Sequence, residues 1–375
     1  FHLALNNLGH KCVFASELDK ELREIYALNH RVIQTKNKDG HHNNIIGDIH
    51  NINIKQIPEH DILCAGFPCQ PFSQAGKRNG LNDPINGNHF FKIIEILKYH
   101  KPTYLFLENV ATLKGHDDGK TWDTIKIELK KLKYDVTQEV LSPHQFGIPQ
   151  HRKRLYIVGK LNGLKQFRFP MPKSDLNLNI YNFLNGVTFN EVKIISNKAK
   201  DHLKAWQNFL DILTKNNIKV PRFPIWATEF GATYPYKQKA TTRFDRKYLV
   251  GTKGVFQHTL SGDSHDEICR FLPKYALTNQ EVFPNWKQSY INKNREFYIQ
   301  NKTVLKPWLK QIKKFDLSHQ KFEWNCGYVP LEMKDKIIQF RPSGIRIKIP
   351  NFSPALVLVG TQTPILFDKE LNDFR

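Results

Sequence analysis

Residues Asp61-Ile62-Leu63-Cys64-Ala65 form a short apolar run that opens directly into Gly66-Phe67-Pro68-Cys69-Gln70-Pro71-Phe72-Ser73. An apolar run of this length, closed by turn residues, reads as a buried strand. Pro68 and Pro71 fix the backbone on either side of Cys69 and leave little helix or ladder to form there. A thiol is therefore presented rigidly just beyond a strand end. A second run, Thr103 to Leu107, ends in Glu108-Asn109-Val110. Working outward, further strands are expected near Lys11 to Ser16, Asn44 to Asp48, Tyr134 to Leu141 and Leu155 to Val158. Helices are expected near Phe1 to Asn7, Leu18 to Asn29, Asn88 to Lys98 and Trp122 to Leu132. Strands alternating with helices predict an α/β fold, a doubly wound Rossmann-like sheet with helices on both faces. In such sheets ligands gather at the carboxyl ends of the strands, and Glu17, Asp48, Cys69 and Glu108 each fall at or just past one.

Composition bounds the reading. A chain of 375 residues, 40% hydrophobic and 12% aromatic, can bury a sizeable core and is expected to form two domains, 1–160 and 161–375. Its 56 basic side chains against 35 acidic ones leave a formal charge of +21, which favours a polyanionic partner through counterion release. No apolar run approaches the ~18 residues that span a bilayer, and no signal-peptide pattern opens the chain. A soluble, intracellular protein is expected. The five cysteines (Cys12, Cys64, Cys69, Cys269, Cys326) are odd in number and without CxxC spacing, so neither a disulfide framework nor a metal site is indicated. Cys12 and Cys64 lie in strand-like runs and read as core residues; Cys69 does not.

The segment Gly66 to Ser73, with Glu108-Asn109-Val110 and Gln150-His151-Arg152-Lys153-Arg154, resembles motifs of the DNA cytosine-5 methyltransferase family, closely over residues 1 to about 160. The resemblance implies a sheet of the S-adenosylmethionine-dependent methyltransferase kind. In it Glu17 takes the cofactor ribose, Asp48 the adenine amino group, and Ile49, Phe67 and Pro68 line the adenine pocket. Leu18 stands where the family often has tryptophan, and His89 where it often has leucine. Phe1 to Asn7 is preceded by no strand and no glycine-rich turn, and Phe367 to Arg375 is followed by neither of the family's two later motifs, so a fragment lacking both ends is expected.

The chemistry requires these residue types. Carbon 5 of cytosine is a poor nucleophile until a thiolate adds to carbon 6, which is the role implied for Cys69. A free cysteine ionises near pH ~8.5, so a nearby cation is needed, and Arg152 and Arg154 are the candidates. Charge on the pyrimidine is relieved by a carboxyl group hydrogen-bonded to ring nitrogen 3, the role implied for Glu108, with Arg154 contacting the base oxygen. The base must leave the duplex to reach the pocket. Residues Gln74 to Gly87 suit a closing loop, with Lys77 and Arg78 on phosphates, and Gln70 and Ser73, beside the nucleophile, are further candidate DNA contacts.

After Lys160 the chain turns basic, aromatic and proline-punctuated, with no sustained period, and reads as a smaller irregular target-recognition domain. Arg341 and Arg346 are its candidate DNA contacts, since arginine reads guanine edges; Trp226 and Trp324 read as core. The implied protein is a DNA (cytosine-5)-methyltransferase of a restriction-modification system, a monomer in the bacterial cytoplasm near the nucleoid. Double-stranded DNA is its partner and a companion endonuclease acts on the same site. A transfer-RNA cytosine-5 methyltransferase, or a catalytically incomplete DNA-binding fragment, is the alternative.

Overall fold

A computed structural model describes residues 1–30, 45–67, 88–174, 176–184, 193–237, 239–278, 280–327, 329–355 and 363–375. Pro68, Cys69, Gln70, Ser73, Lys77 and Arg78, with the rest of the loop to Gly87, lie outside the described residues. The chain forms two compact units, residues 1–147 with 152–176, and residues 148–151 with 177–375.

The first unit contains α1 (His2–Asn7), α2 (Lys20–Asn29), β1 (Ile62–Gly66), α3 (Asn88–His100), β2 (Tyr104–Val110), α4 (Lys120–Lys131) and β3 (Tyr134–Leu141). After β4 (Gln150–His151), which belongs to the second unit, β5 (Arg154–Leu161) completes it. The four long strands lie in the order β1-β2-β5-β3, with β1 parallel to β2 and the remaining neighbours antiparallel. Alternation decides the faces. Leu105, Leu107, Leu155 and Ile157 are fully buried in one cluster with Phe90, Ile93 and Leu97 of α3 and Trp122, Ile125 and Leu129 of α4. The residues between them point the other way: Phe106 meets Tyr156 at 5.9 Å and Phe1, just before α1, at 4.9 Å. The helices on both faces that the alternation predicts are present.

Gly159 shows how tightly the sheet closes. It sits in β5 between Leu105 and Val136, and a methyl group added there would lie 2.8 Å from Leu105 Cγ and 2.9 Å from Val136 Cγ1. Those neighbours are core side chains with no room to retreat, so Gly159→Ala is expected to destabilise the unit by about 1–3 kcal/mol through overpacking. Urea unfolding followed by far-ultraviolet circular dichroism measures this; an unchanged midpoint refutes it.

Two expected strands are not strands. Lys11 to Ser16 and the described part of Asn44 to Asp48 meet only as one parallel bridge, Ser16 to Ile46. Its two backbone bonds run from Glu17 N to Ile46 O (2.9 Å) and from Ile46 N to Ala15 O (3.1 Å). Both segments then leave the ladder at once: the Asp19 side chain caps α2 and the Asp48 side chain caps the short 3₁₀ turn Ile49–Asn51. Capping bonds satisfy the backbone that a longer ladder would otherwise use.

The second unit is neither irregular nor the shorter of the two, a correction to the sequence reading. It holds α5 (Asn197–Lys215), β6 (Ile225–Trp226), the short α6 (Arg246–Leu249) and α7 (His265–Cys269), α8 (Asn285–Gln300), β7 (Lys321–Asn325), β8 (Ile337–Arg341), β9 (Gly344–Lys348) and β10 (Ser353–Pro354). The strand order β6-β7-β9-β8 makes one sheet, while β10 pairs with β4. Trp206 and Phe209 of α5 pack with Trp308, Phe322, Ile345 and Ile347, and Trp226 and Trp324 are buried as expected. The units divide at residue 176 instead of 160 because hydrogen bonds from Leu164 N to Asp135 and from Lys173 N to Gln145 O hold residues 161–176 to the first.

Candidate active site

The parallel pairing of β1 with β2 sets Gly66 directly opposite Glu108. A methyl group added at Gly66 would lie 3.3 Å from Glu108 Oε2, so the absent side chain leaves that carboxylate its space. On the other side β5 runs antiparallel to β2, pairing Val110 with Arg154 and Glu108 with Tyr156. From there Arg154 Nε donates to Glu108 Oε1 at 2.7 Å. The guanidinium also donates from Nη1 to the carbonyl of Lys153 at 2.9 Å, which steadies its direction. Both side chains of the pair remain partly exposed, so the pair contributes more to orientation than to stability.

Two neighbours were given no role by the sequence reading, although Asn109 stands in its quoted motif. Asn109 is buried beside Glu108; its Nδ2 donates to the carbonyl of Phe67 at 3.4 Å while its Oδ1 accepts from Val110 N at 2.8 Å. It ties the end of β2 to the point where the chain enters Pro68-Cys69. Its signal was available: an amide inside an apolar strand is buried only when its bonds are made. Tyr156 faces Glu108 across the ladder, and burial, with the Glu108 charge second, pushes its phenol up. The period-two alternation of β5 pointed to it.

Arg152 is positioned through its backbone. Its N–H donates to Ser142 Oγ at 2.9 Å, and Ser142 is itself the cap of the turn Pro143–Phe146, closed by Gln145. Gln150-His151-Arg152-Lys153-Arg154 is thus fixed at both ends, by β4 and β5.

Of the residues implied for the cofactor, Glu17 and Leu18 follow one half of the Ser16–Ile46 pairing and Asp48 and Ile49 the other. Ser16 Oγ donates to the carbonyl of Gly47 at 2.6 Å, and Arg23 Nη1 donates to the carbonyls of Glu17 (2.8 Å) and Leu18 (2.7 Å). Glu17 and Asp48 follow the two halves of this bridge. Glu17 Oε1 accepts from Asp19 N at 3.0 Å and Asp48 Oδ1 from His50 N at 2.9 Å. Leu18 is exposed, Ile49 packs against the core of the unit, and Phe67 is buried 5.9 Å from Phe90. His89 meets His50 (Nδ1 to Nε2, 3.0 Å); burial and then the neighbouring imidazole hold its pKa below the usual value, against the pull of Asp48.

In the second unit Arg341 and Arg346 converge on Glu323. Arg341 Nη2 donates at 2.6 Å, and Arg346 donates from Nε at 2.9 Å and Nη2 at 3.3 Å. Burial would raise the Glu323 carboxyl, but hydrogen bonds from Arg346 and Asn325 and the two positive charges outweigh it and hold the pKa low.

The first unit is an α/β unit in which a carboxylate and a guanidinium pair where its two parallel strands end, the end at which ligands gather in sheets of this kind. The family described as C-5 cytosine-specific DNA methylase matches residues 1–220, and the chain belongs to that family. It is 47% identical over 162 residues to the Type II methyltransferase M.NlaX of Neisseria lactamica, covering 43% of this chain and 48% of that protein. To M.HhaI of Haemophilus parahaemolyticus it is 41% identical over 174 residues, covering 46% and 50%. The chain thus spans about half the length of the curated relatives it matches. Among solved structures, a Spodoptera frugiperda DNMT2 mutant aligns with a TM-score of 0.41 and 21% identity over 54% of this chain and 61% of that one. Among the described residues no helix is long and apolar enough to cross a membrane.

Proposed function

We propose that the protein of which this chain is part transfers a methyl group from S-adenosylmethionine to carbon 5 of a cytosine flipped out of a specific double-stranded DNA site. The observation that carries the reading is the Glu108–Arg154 pair, set by strand register beside Gly66, three residues before Cys69. Cys69 adds as thiolate to carbon 6, forming the C–S bond, while Glu108 hydrogen-bonds ring nitrogen 3 and so takes up the electron density pushed there. Arg154 holds Glu108 in line and its remaining N–H groups face the base oxygen. Arg152 supplies positive charge that favours the thiolate. After methylation, loss of the carbon 5 proton lets the C–S bond break and returns Cys69.

The cofactor's role is to supply an electrophilic methyl group. The donor chemistry fits it: Glu17 is assigned to the ribose diol through its carboxylate oxygens, and Asp48, Ile49, Phe67, Pro68, Leu18 and His89 to the purine, a reading supported by Glu17 and Asp48 each following one half of the Ser16–Ile46 bridge. Removing the Glu17 carboxylate is expected to weaken S-adenosylmethionine binding to the full-length protein by about tenfold or more, the effect of one or two lost charge-assisted hydrogen bonds. Calorimetry of Glu17→Ala measures it, and an unchanged affinity removes Glu17 from the site.

Gln70, Ser73, Lys77 and Arg78 are assigned to the DNA around the extruded base, and Arg341 and Arg346 to sequence reading from an anchor on Glu323. The Type II methyltransferase names of the relatives support a restriction-modification setting, with a companion endonuclease. Bisulfite sequencing of DNA exposed to the full-length protein and cofactor tests the function. Protection of cytosines within one short motif is expected; uniform conversion overturns the reading.

A further inference from the structure

In the second unit, built from residues given no role above, His202 on α5 faces the turn that carries Asp316 and His319. One donor atom from each of the three lies within 4.8 Å of the others. The turn itself explains the pairing of the last two: His319 N and Gln320 N both donate to the carbonyl of Asp316, at 2.8 and 3.2 Å, which brings residues three apart to one side. The imidazole of His202 is tilted against that of His319 with centroids 4.3 Å apart, and Phe315 closes against His202 at 4.3 Å.

Polar accounting makes this cluster unusual. Nδ1 of His202 and Nδ1 of His319 are both buried and have no hydrogen-bond partner among the described residues, and His202 is only 2% exposed. Buried imidazole nitrogens are ordinarily bonded, because leaving one dry and unpaired costs about 1–3 kcal/mol. Two such nitrogens beside a carboxylate that reaches solvent are a donor set without an acceptor.

We propose that His202, Asp316 and His319 bind one divalent transition-metal ion of the zinc class, clipping the start of α5 to the turn that leads into β7. Two imidazole nitrogens and one carboxylate oxygen are the ligand types zinc takes, with a water completing the tetrahedron. Bonds of about 2.0–2.1 Å require donors about 3.4 Å apart, so separations within 4.8 Å close by at most about 1.4 Å, the exposed Asp316 side chain moving toward the imidazoles. Asp316 now bonds Lys198 at 2.7 Å, and the metal shares or displaces that ammonium. The backbone of one ligand is already held: Trp206 Nε1 donates to the carbonyl of His319 at 2.9 Å and fixes the turn beneath it. Cysteine spacing could not reveal the site, because its donors are histidines and an aspartate brought together only by the fold.

The test uses the full chain, stripped with a chelator and titrated with Zn²⁺ by calorimetry, and with Co²⁺ as a visible-absorbing substitute. One equivalent is expected to bind, to give the intense visible bands of tetrahedral Co²⁺ and to raise the melting temperature. Affinity should weaken by about tenfold or more in both Asp316→Asn and His319→Gln, with the bands lost. Asp316 is exposed, so its variant keeps the fold and decides the matter even if the histidine variant does not fold. Absence of a stoichiometric site, or equal affinity in Asp316→Asn, overturns the proposal and assigns any binding to other surface histidines.

Discussion

Cys69→Ser is expected to abolish covalent capture of DNA containing 5-fluorocytosine and to lower methyl transfer by roughly 10⁴-fold or more, since a neutral hydroxyl cannot add to carbon 6 as a thiolate does. The fluorine matters because carbon 5 then carries no removable proton, so the C–S bond persists and the complex survives denaturing electrophoresis. Glu108→Gln separates the two roles. It keeps a hydrogen bond at ring nitrogen 3 but lacks the acid, and is expected to slow capture by about 10²–10⁴-fold without preventing it. Wild-type adduct levels in Cys69→Ser would remove this thiol as nucleophile, and wild-type rates in Glu108→Gln would remove the acid. A loss in the first with only slowing in the second is what thiolate addition assisted by a positioned carboxyl produces.

That experiment probes residues of two kinds: one legible only as sequence, the other given geometry by the fold. The strand Tyr134 to Leu141 was legible to the residue, because its alternation is bounded by turn-forming Lys133 on one side and Ser142-Pro143 on the other. The β1–β2 pair was legible to within a few residues: Glu108, read as the end of the second strand, lies inside β2, which runs on to Val110. Lys11 to Ser16 misled because apolar content signals burial, whereas a ladder also needs backbone partners, and Asp19 and Asp48 draw those away. In α5 the signal existed: Ser196 caps the helix, and Leu203, Trp206, Leu210 and Leu213 recur on one face. Interleaved lysines hid it. In α8 the buried face includes Asn294, whose amide serves Trp226 N, Pro224 O and Tyr290 O. A polar residue in the core stripe erases the periodicity from which a helix is read. The convergence of Arg341 and Arg346 on Glu323 was likewise out of reach, since it depends on β7 pairing with β9.

The same kind of long-range polar contact sets the stability of the second unit. Glu229 is fully buried; Arg295 Nε donates to its Oε2 at 2.9 Å, and the hydroxyls of Tyr234 and Tyr275 both donate to its Oε1. Arg295 in turn donates to the carbonyl of Tyr234 at 3.1 Å and lies over the rings of Tyr234 and Tyr236 at 4.3 and 4.8 Å. Glu229→Ala would leave the guanidinium buried without a counter-charge and two phenols without an acceptor. A loss of about 3–5 kcal/mol is expected, because deleting one member of a buried ion pair costs far more than the pair contributes. Glu229→Gln retains an acceptor for the tyrosines and should recover part of that loss, which separates the missing hydrogen bonds from the missing charge. Five of the six tryptophans lie in the second unit, so the midpoint of unfolding by tryptophan emission reports it selectively. Melting of the first unit, followed through Gly159→Ala, should shift independently, since substitutions in separate cores add. If Glu229→Ala leaves the tryptophan midpoint within experimental error of wild type, the carboxylate is not the hub of this core, and the buried guanidinium must find its counter-charge elsewhere.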